Sequence, residues 1–438
     1  MNAKPFYPAL AVMLVFFSIA MSALISQRVF ERLPHLEDEV AYLFQAKTYA
    51  GGHIVVDTPQ PRRAFWQPFV VDFQATGKRF SKYTPGWPLL LTGGIWMGQA
   101  WVVNAFLAGL TVALVYRLGR DIFSPDVGLI AAGLTAFSPM ALLLNATLMG
   151  HTAALFGVTL FLLAYRRLEQ GRRPLRWGII GGLALGLVVT TRPLTAVGIA
   201  APFVIWSLAR IIRAAIHNSS SLRAMLSPLL ALAVVTLIVS SIIPIDNAAT
   251  TGDPAKNLYT LVWPYDRVGF GECCGRSGHT LEKGIRHVRF DLSLMAADLY
   301  GWQLEDITQF GSHLKTLLTS GQIGTSITPD LQAHLQTAGD YWPLTGISWI
   351  LLPFGLLIGW RRHWTWLLAG AALTLVVVHL AYWIGSQRYS TRYYFEALAA
   401  LSLLSALPLA WLIQRIGRRG PVIVLLAAGL IWTLYSYT

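Results

Sequence analysis

The chain has 438 residues, 55% of them hydrophobic and 13% charged, with a mean hydropathy of +0.53. That composition excludes an ordinary soluble domain. The formal net charge of +13 would suit a nucleic-acid partner, but the arginines gather in alternate short turns between apolar segments. This makes the basic balance a matter of membrane topology and anionic-lipid contact and excludes nucleic-acid binding.

Apolar runs recur along the whole length, and a run of roughly 17–25 residues is long enough to cross a bilayer. In chain order they fall at 7–27, 101–118, 126–145, 151–165, 176–191, 194–210, 225–244, 344–359, 364–384, 395–413 and 421–436. The pattern predicts an all-α polytopic membrane protein of about eleven transmembrane helices. The first run exceeds the hydrophobic region of a signal peptide and is expected to stay as an anchor. Basic turns follow at Arg117 and Arg120, at Arg166, Arg167, Arg172, Arg173 and Arg176, at Arg210, Arg213 and Arg223, at Arg361 and Arg362, and at Arg415, Arg418 and Arg419. With Lys4 they predict an amino terminus inside and a carboxyl terminus outside. Three divisions result. Residues 1–244 form a transmembrane half with a first outer loop at 28–100; residues 245–343 form an extracytoplasmic cap loop; residues 344–438 hold the C-terminal helices.

The first outer loop carries Glu37-Asp38-Glu39 a short way beyond the first apolar run. Three carboxylates so close to a bilayer are costly and mark a candidate site, although acidic residues also favour a helix start. The residues after them read as an amphipathic helix with Val40, Leu43 and Phe44 on one face and Gln45 and Lys47 turned away. An irregular Pro-rich stretch leads to Lys82-Tyr83-Thr84-Pro85, and the apolar piece at 87–97 is short enough to predict an interfacial helix. Further on, His151 stands at an outer helix mouth and Arg192 lies between Thr191 and Pro193. In the second outer loop Asp246, Glu272, His279 and His287 are acceptor-side candidates without an order among them. Cys273 and Cys274 are adjacent; a disulfide between neighbours is uncommon, and the pair is assigned no role. Arg388, Tyr389, Arg392, Tyr393 and Tyr394 make a basic and aromatic outer loop.

Four of these places share an order and a side of the membrane with a known pattern. Asp38-Glu39-Val40-Ala41-Tyr42, Lys82-Tyr83-Thr84-Pro85, the inner turn Tyr116-Arg117-Leu118-Gly119-Arg120-Asp121-Ile122-Phe123 and Thr191-Arg192-Pro193-Leu194 together resemble the C-type membrane glycosyltransferases, such as protein O-mannosyltransferases and the lipid A aminoarabinose transferase. The resemblance covers roughly the first half of the chain. It departs at Met149-Gly150-His151-Thr152, where the family commonly has a carboxylate and this chain has His151.

The resemblance implies inverting transfer of a sugar from a polyprenyl-phosphate donor to a lipid, polysaccharide or protein acceptor. The expected place is the extracytoplasmic face of a bacterial cytoplasmic membrane. A carboxylate can deprotonate the acceptor hydroxyl, and cations can stabilise the departing phosphate. On that pattern Asp38 is the base, and Glu39 holds the helix start, the acceptor or a metal. Lys82, Arg192, Arg388 and Arg392 face the donor phosphate, while His151 and Glu37 are placed toward acceptor or metal. No cofactor is required by the pattern; a divalent metal is admitted by it, and activity that survives chelation is the expectation. A transporter or flippase for lipid-linked sugars and an oligosaccharide ligase are the alternative readings. Transporters usually show internal repeats, and none is found here.

Overall fold

The computed structural model describes residues 6–217, 219–301, 347–385 and 392–416. Helix α1 (Phe6–Arg28) is apolar except for the small buried residues Ser18, Ser22 and Ser26 and the polar end Gln27-Arg28, and it packs on α4 (Val102–Ile122), where a Cβ on Gly109 would lie 2.5 Å from Ile19. The segment expected as one span at 126–145 is broken. Helix α5 (Pro125–Phe137) and helix α6 (Pro139–Ala146) meet at a 57° bend. The cause is local: Pro139 supplies no amide hydrogen, and the Ser138 hydroxyl accepts from the Ala141 amide at 3.4 Å, capping a new helix.

Helices α7 (His151–Glu169), α8 (Pro174–Thr191), α9 (Pro193–His217) and α10 (Ser219–Ser240) continue the bundle. Small residues allow a close contact in it: a Cβ on Gly178 of α8 would lie 2.3 Å from the Pro228 carbonyl oxygen of α10. Helix α11 (Ile242–Thr251) leads out to the cap, whose α12 (Leu281–Asp298) starts at Thr280, a hydroxyl that accepts from the Lys283 amide. Helices α13 (Leu351–Gly359), α14 (His363–His379) and α15 (Leu398–Ile416) close the described part.

Among the described residues six helices are long and apolar enough to span a membrane, or seven if the bent α5–α6 pair counts as one. The expected eleven is therefore not reached on length and composition: α13 and α14 are shorter apolar helices, α7 does not meet the criterion, and the run at 421–436 lies outside the described residues. The expected helical character holds, and one small sheet is added to it. The Pro-rich stretch before residue 85 contains a three-stranded antiparallel sheet of β1 (Val56–Asp57), β2 (Val70–Phe73) and β3 (Lys78–Ser81), in the order β1-β3-β2. β2 and β3 form a hairpin whose register pairs Val70 with Ser81 and Phe73 with Lys78. Gly77, at a φ of 66°, supplies the left-handed residue that its turn needs.

The cap is tied to the α14–α15 connection by its backbone and by the His279 side chain. The Gly269 amide donates to the Ala381 carbonyl at 2.8 Å, and His279 Nε2 lies 2.8 Å from the Leu380 carbonyl. Cys273 and Cys274 are joined in a disulfide, a pairing the sequence left without a role. Residues 302–346 of the cap lie outside the described residues.

Candidate active site

Helix α2 (Glu37–Ala50) starts at Leu36, whose side chain cannot cap it, so its three acidic residues meet the exposed amides and the positive end of the dipole. They do not share one task. Glu39 is buried, and its Oε2 lies 3.4 Å from the His35 amide and 3.3 Å from the Leu148 amide. Burial pushes its carboxyl up to about 7, against the two amide hydrogen bonds. Glu39 thus pins α2 to the corner between α6 and α7, whereas Glu37 and Asp38 line a cavity of about 1020 Å³.

The same corner, residues 147–149, is not helical, yet every backbone group in it has a partner. The Asn104 amide donates to the carbonyls of Thr147 and Met149, and the Trp87 indole donates to that of Leu148. The Thr147 amide reaches Leu144, and the Met149 amide reaches the Thr147 hydroxyl. His151 follows directly and opens onto the cavity.

Lys82 is placed by the sheet and by α2 together. Gln45, expected to turn away from the apolar face of α2, is instead buried. Its amide group accepts from the Ser81 amide at 2.9 Å and donates to the Ile54 carbonyl at 2.8 Å. The Lys82 amide donates to the Phe69 carbonyl at 3.0 Å and extends the hairpin. The ammonium then sits among aromatic faces, 4.0 Å from the centroid of Phe69, 4.6 Å from Trp263, 5.1 Å from Tyr259 and 5.2 Å from Tyr83. Its carboxylate partner is Asp266 of the cap, Nζ to Oδ2 3.4 Å. Desolvation pulls the ammonium below the ordinary lysine range, with the Asp266 and Asp38 charges opposing.

Two more cations face the cavity. Arg392 Nη1 donates to Asp38 Oδ2 at 3.2 Å, and the Tyr83 hydroxyl donates to Asp38 Oδ1. Burial, and then the Asp38 charge, hold the Tyr83 phenol far above its usual range, so it remains a proton donor. Arg192 sits at the α8–α9 break that Pro193 enforces, with Nε 2.9 Å from Glu396 Oε1 and Nη1 3.1 Å from His151 Nε2. His151 Nδ1 lies 3.2 Å from the same Glu396 oxygen.

The structure therefore gathers Glu37, Asp38, Lys82, His151, Arg192 and Arg392 around one cavity, and leaves Glu39 behind its wall. Arg388 lies outside the described residues. His279 and Asp246 are bound elsewhere, the latter accepting from the Tyr49 hydroxyl at 2.8 Å. Asp266 and Glu396 were missed from sequence. Glu396 carried a usable signal: it is a carboxylate inside the apolar run at 395–413, where a charge is costly. Asp266 carried none beyond its aromatic neighbours.

The donor set does not fit a divalent metal. Among the described residues no three His, Cys, Asp or Glu side chains are grouped to hold one. His151 and Glu396, the nearest such pair, both have the Arg192 guanidinium at hydrogen-bond distance, a fixed charge that opposes a dication. The arrangement can instead hold an oxyanion between cations beside a carboxylate able to accept a proton.

Comparison with known proteins agrees with this architecture. The family model for dolichyl-phosphate-mannose-protein mannosyltransferases matches residues 89–244. No curated protein matches the chain in sequence. Among solved structures, the apo oligosaccharyltransferase of Archaeoglobus fulgidus is similar with a TM-score of 0.54 at 16% identity, over 99% of this chain and 55% of that one. The archaeal oligosaccharyltransferase AglB of Archaeoglobus fulgidus, in complex with an inhibitory peptide and a dolichol-phosphate, gives 0.52 at 18% identity, over 99% and 55%. ArnT from Cupriavidus metallidurans bound to undecaprenyl phosphate gives 0.52 at 13% identity, over 94% and 62%. The chain spans little more than half the length of these structures. It shares the fold of these solved structures, and the mannosyltransferase family model matches within it over residues 89–244.

Proposed function

We propose that this protein transfers a sugar from a polyprenyl-phosphate donor to an acceptor hydroxyl, with inversion, using Asp38 as the base. The observation that carries the reading is the single cavity shared by Asp38 and the three cations Lys82, Arg192 and Arg392. The two solved relatives that hold a dolichol-phosphate or undecaprenyl phosphate support a lipid phosphate as the ligand of those cations. Attack on the anomeric carbon from the face opposite the phosphate would pass the acceptor proton to Asp38, while the cations meet the charge left on the phosphate. The Tyr83 hydroxyl and Arg392 hold Asp38 in place from two sides.

Helix direction supports an extracytoplasmic site. α7 begins at His151 in the cavity wall and ends at Arg166 and Arg167; α9 follows Arg192 and carries Arg210 and Arg213 near its other end. The arginine-rich turns thus lie at the opposite ends of the helices from the cavity, and such turns stay in the cytoplasm. A bacterial inner membrane is the proposed location, with a lipid, polysaccharide or protein as acceptor.

Transfer assayed with purified protein and a panel of polyprenyl-phosphate sugars tests the reading. Asp38→Asn should lower turnover by about 10²–10⁴, the usual share of a general base. Undiminished transfer by this variant would remove the assignment. Movement of intact donor across proteoliposomes without release of polyprenyl phosphate would favour a transporter.

A further inference from the structure

This inference rests on the donor reading above and concerns Asp266. Among the described residues each cavity cation already faces a carboxylate: Arg192 with Glu396 at 2.9 Å, Arg392 with Asp38 at 3.2 Å, and Lys82 with Asp266 at 3.4 Å. An incoming lipid phosphate brings a further negative charge into a site whose described cations are matched one for one. One pair must open, and the longest is that of Lys82.

Asp266 is built to let go on one side only. Its Oδ2 faces Lys82, while its Oδ1 is held by the Trp383 indole at 3.0 Å and lies 3.3 Å from the Tyr382 hydroxyl. A combined turn about the Cα–Cβ and Cβ–Cγ bonds that leaves Oδ1 near the Trp383 indole moves Oδ2 away from Lys82. The Lys82 ammonium keeps the faces of Phe69, Trp263, Tyr259 and Tyr83 throughout. Those faces offer it attraction but no strong hydrogen-bond acceptor, so an oxyanion is the natural replacement for the carboxylate.

We propose that Asp266 is an internal stand-in for the donor phosphate, occupying Lys82 between turnovers, yielding it to the incoming lipid, and returning to displace the lipid phosphate left after transfer. The charge change of the reaction makes the return necessary. As the acceptor oxygen bonds to the anomeric carbon, the bond from that carbon to the phosphate oxygen breaks. Its electron pair stays on the phosphate, and the acceptor proton goes to Asp38. A phosphodiester with one negative charge becomes a monoester that can carry two, so the spent lipid holds Lys82 more firmly than the donor did. Asp266 touches no reacting atom; it sets the affinity of the site for phosphate.

The test uses the full chain and a long-chain polyprenyl phosphate without sugar. Asp266→Asn should bind that lipid roughly tenfold more tightly. Multiple turnover should slow through product inhibition, and by more than the first turnover does. A residue that only holds the fold would give the reverse, weaker binding and a slower first turnover. Equal or weaker binding by folded Asp266→Asn overturns the proposal. Should that variant fail to fold, carbodiimide labelling of the wild-type protein, read by peptide mass spectrometry, decides. Added lipid should raise modification of Asp266, and unchanged or reduced modification overturns the proposal. Lys82→Ala separates the two readings. If it binds the lipid as the wild type does, the donor reading fails and this inference with it. If it loses binding but Asp266→Asn gains none, the inference alone fails.

Discussion

Two neighbouring carboxylates, Asp38 and Glu39, divide into a cavity group and a buried pin, and the division is testable by pH. The carboxyl of Glu39 titrates near 7 in the folded protein, against an ordinary value of 4.5, because burial disfavours its charge. The folded state therefore prefers the protonated form. The stability this confers is complete below about pH 4.5 and is lost as pH rises through about 7, a change of about 3 kcal/mol. Glu39→Gln keeps an oxygen that can accept from the Leu148 and His35 amides and removes the titration. Thermal unfolding in detergent should show the wild type losing stability between pH 5 and pH 8 and the variant losing much less. Parallel curves would count against the assignment. Asp38 was legible from sequence because charges beside an apolar run stand out, whereas Lys82 and Arg192 stood out only on the family pattern and Arg392 as part of a basic and aromatic loop. Their carboxylate partners were not, since Asp266 approaches Lys82 only through the fold of the cap and Glu396 is hidden within a hydrophobic segment.

At the scale of elements, the site depends on how closely α3 (Gly86–Trp96) approaches α8. A Cβ on Gly86 would lie 2.4 Å from the Thr190 hydroxyl and 2.7 Å from its carbonyl oxygen, and a backbone contact of that kind cannot be relieved by turning a side chain. Gly86→Ala should separate the helices at a cost of about 1–3 kcal/mol. Because Arg192 is two residues beyond Thr190 and Lys82 four before Gly86, the two cations should lose register, and donor KM should rise. Unchanged KM in a destabilised variant would show that the contact serves stability alone. The short helix α3 was legible because an apolar run too brief to span has few other uses. The hairpin before it was not: Val70-Val71-Asp72-Phe73 is a short β signal set among prolines, and its partner strand Lys78-Arg79-Phe80-Ser81 alternates only weakly. Gln45 was misplaced for a related reason. Helical periodicity makes it a surface residue, but the end of the central strand β3 arrives to cover it.

For the molecule as a whole, the question of metal follows from charge placement. His151 occupies the position where a carboxylate is common in the family it resembles, and it is engaged by Arg192 and Glu396. Transfer should continue in EDTA at an unchanged rate; loss of transfer restored by one particular divalent ion would overturn this. The membrane character and the order of the helices were legible from hydropathy alone. The break at Ser138-Pro139 shows where hydropathy stops, because an apolar run reports depth and not straightness.

The corner at residues 147–149 has a consequence of its own. Unwound backbone inside a membrane protein usually draws water to its free amides and carbonyls. Here side chains from α2, α3 and α4, together with the corner's own hydroxyl and helix end, satisfy those groups. The corner therefore offers water no free backbone group, so the cavity beside His151 can open without unwinding the helices beneath it.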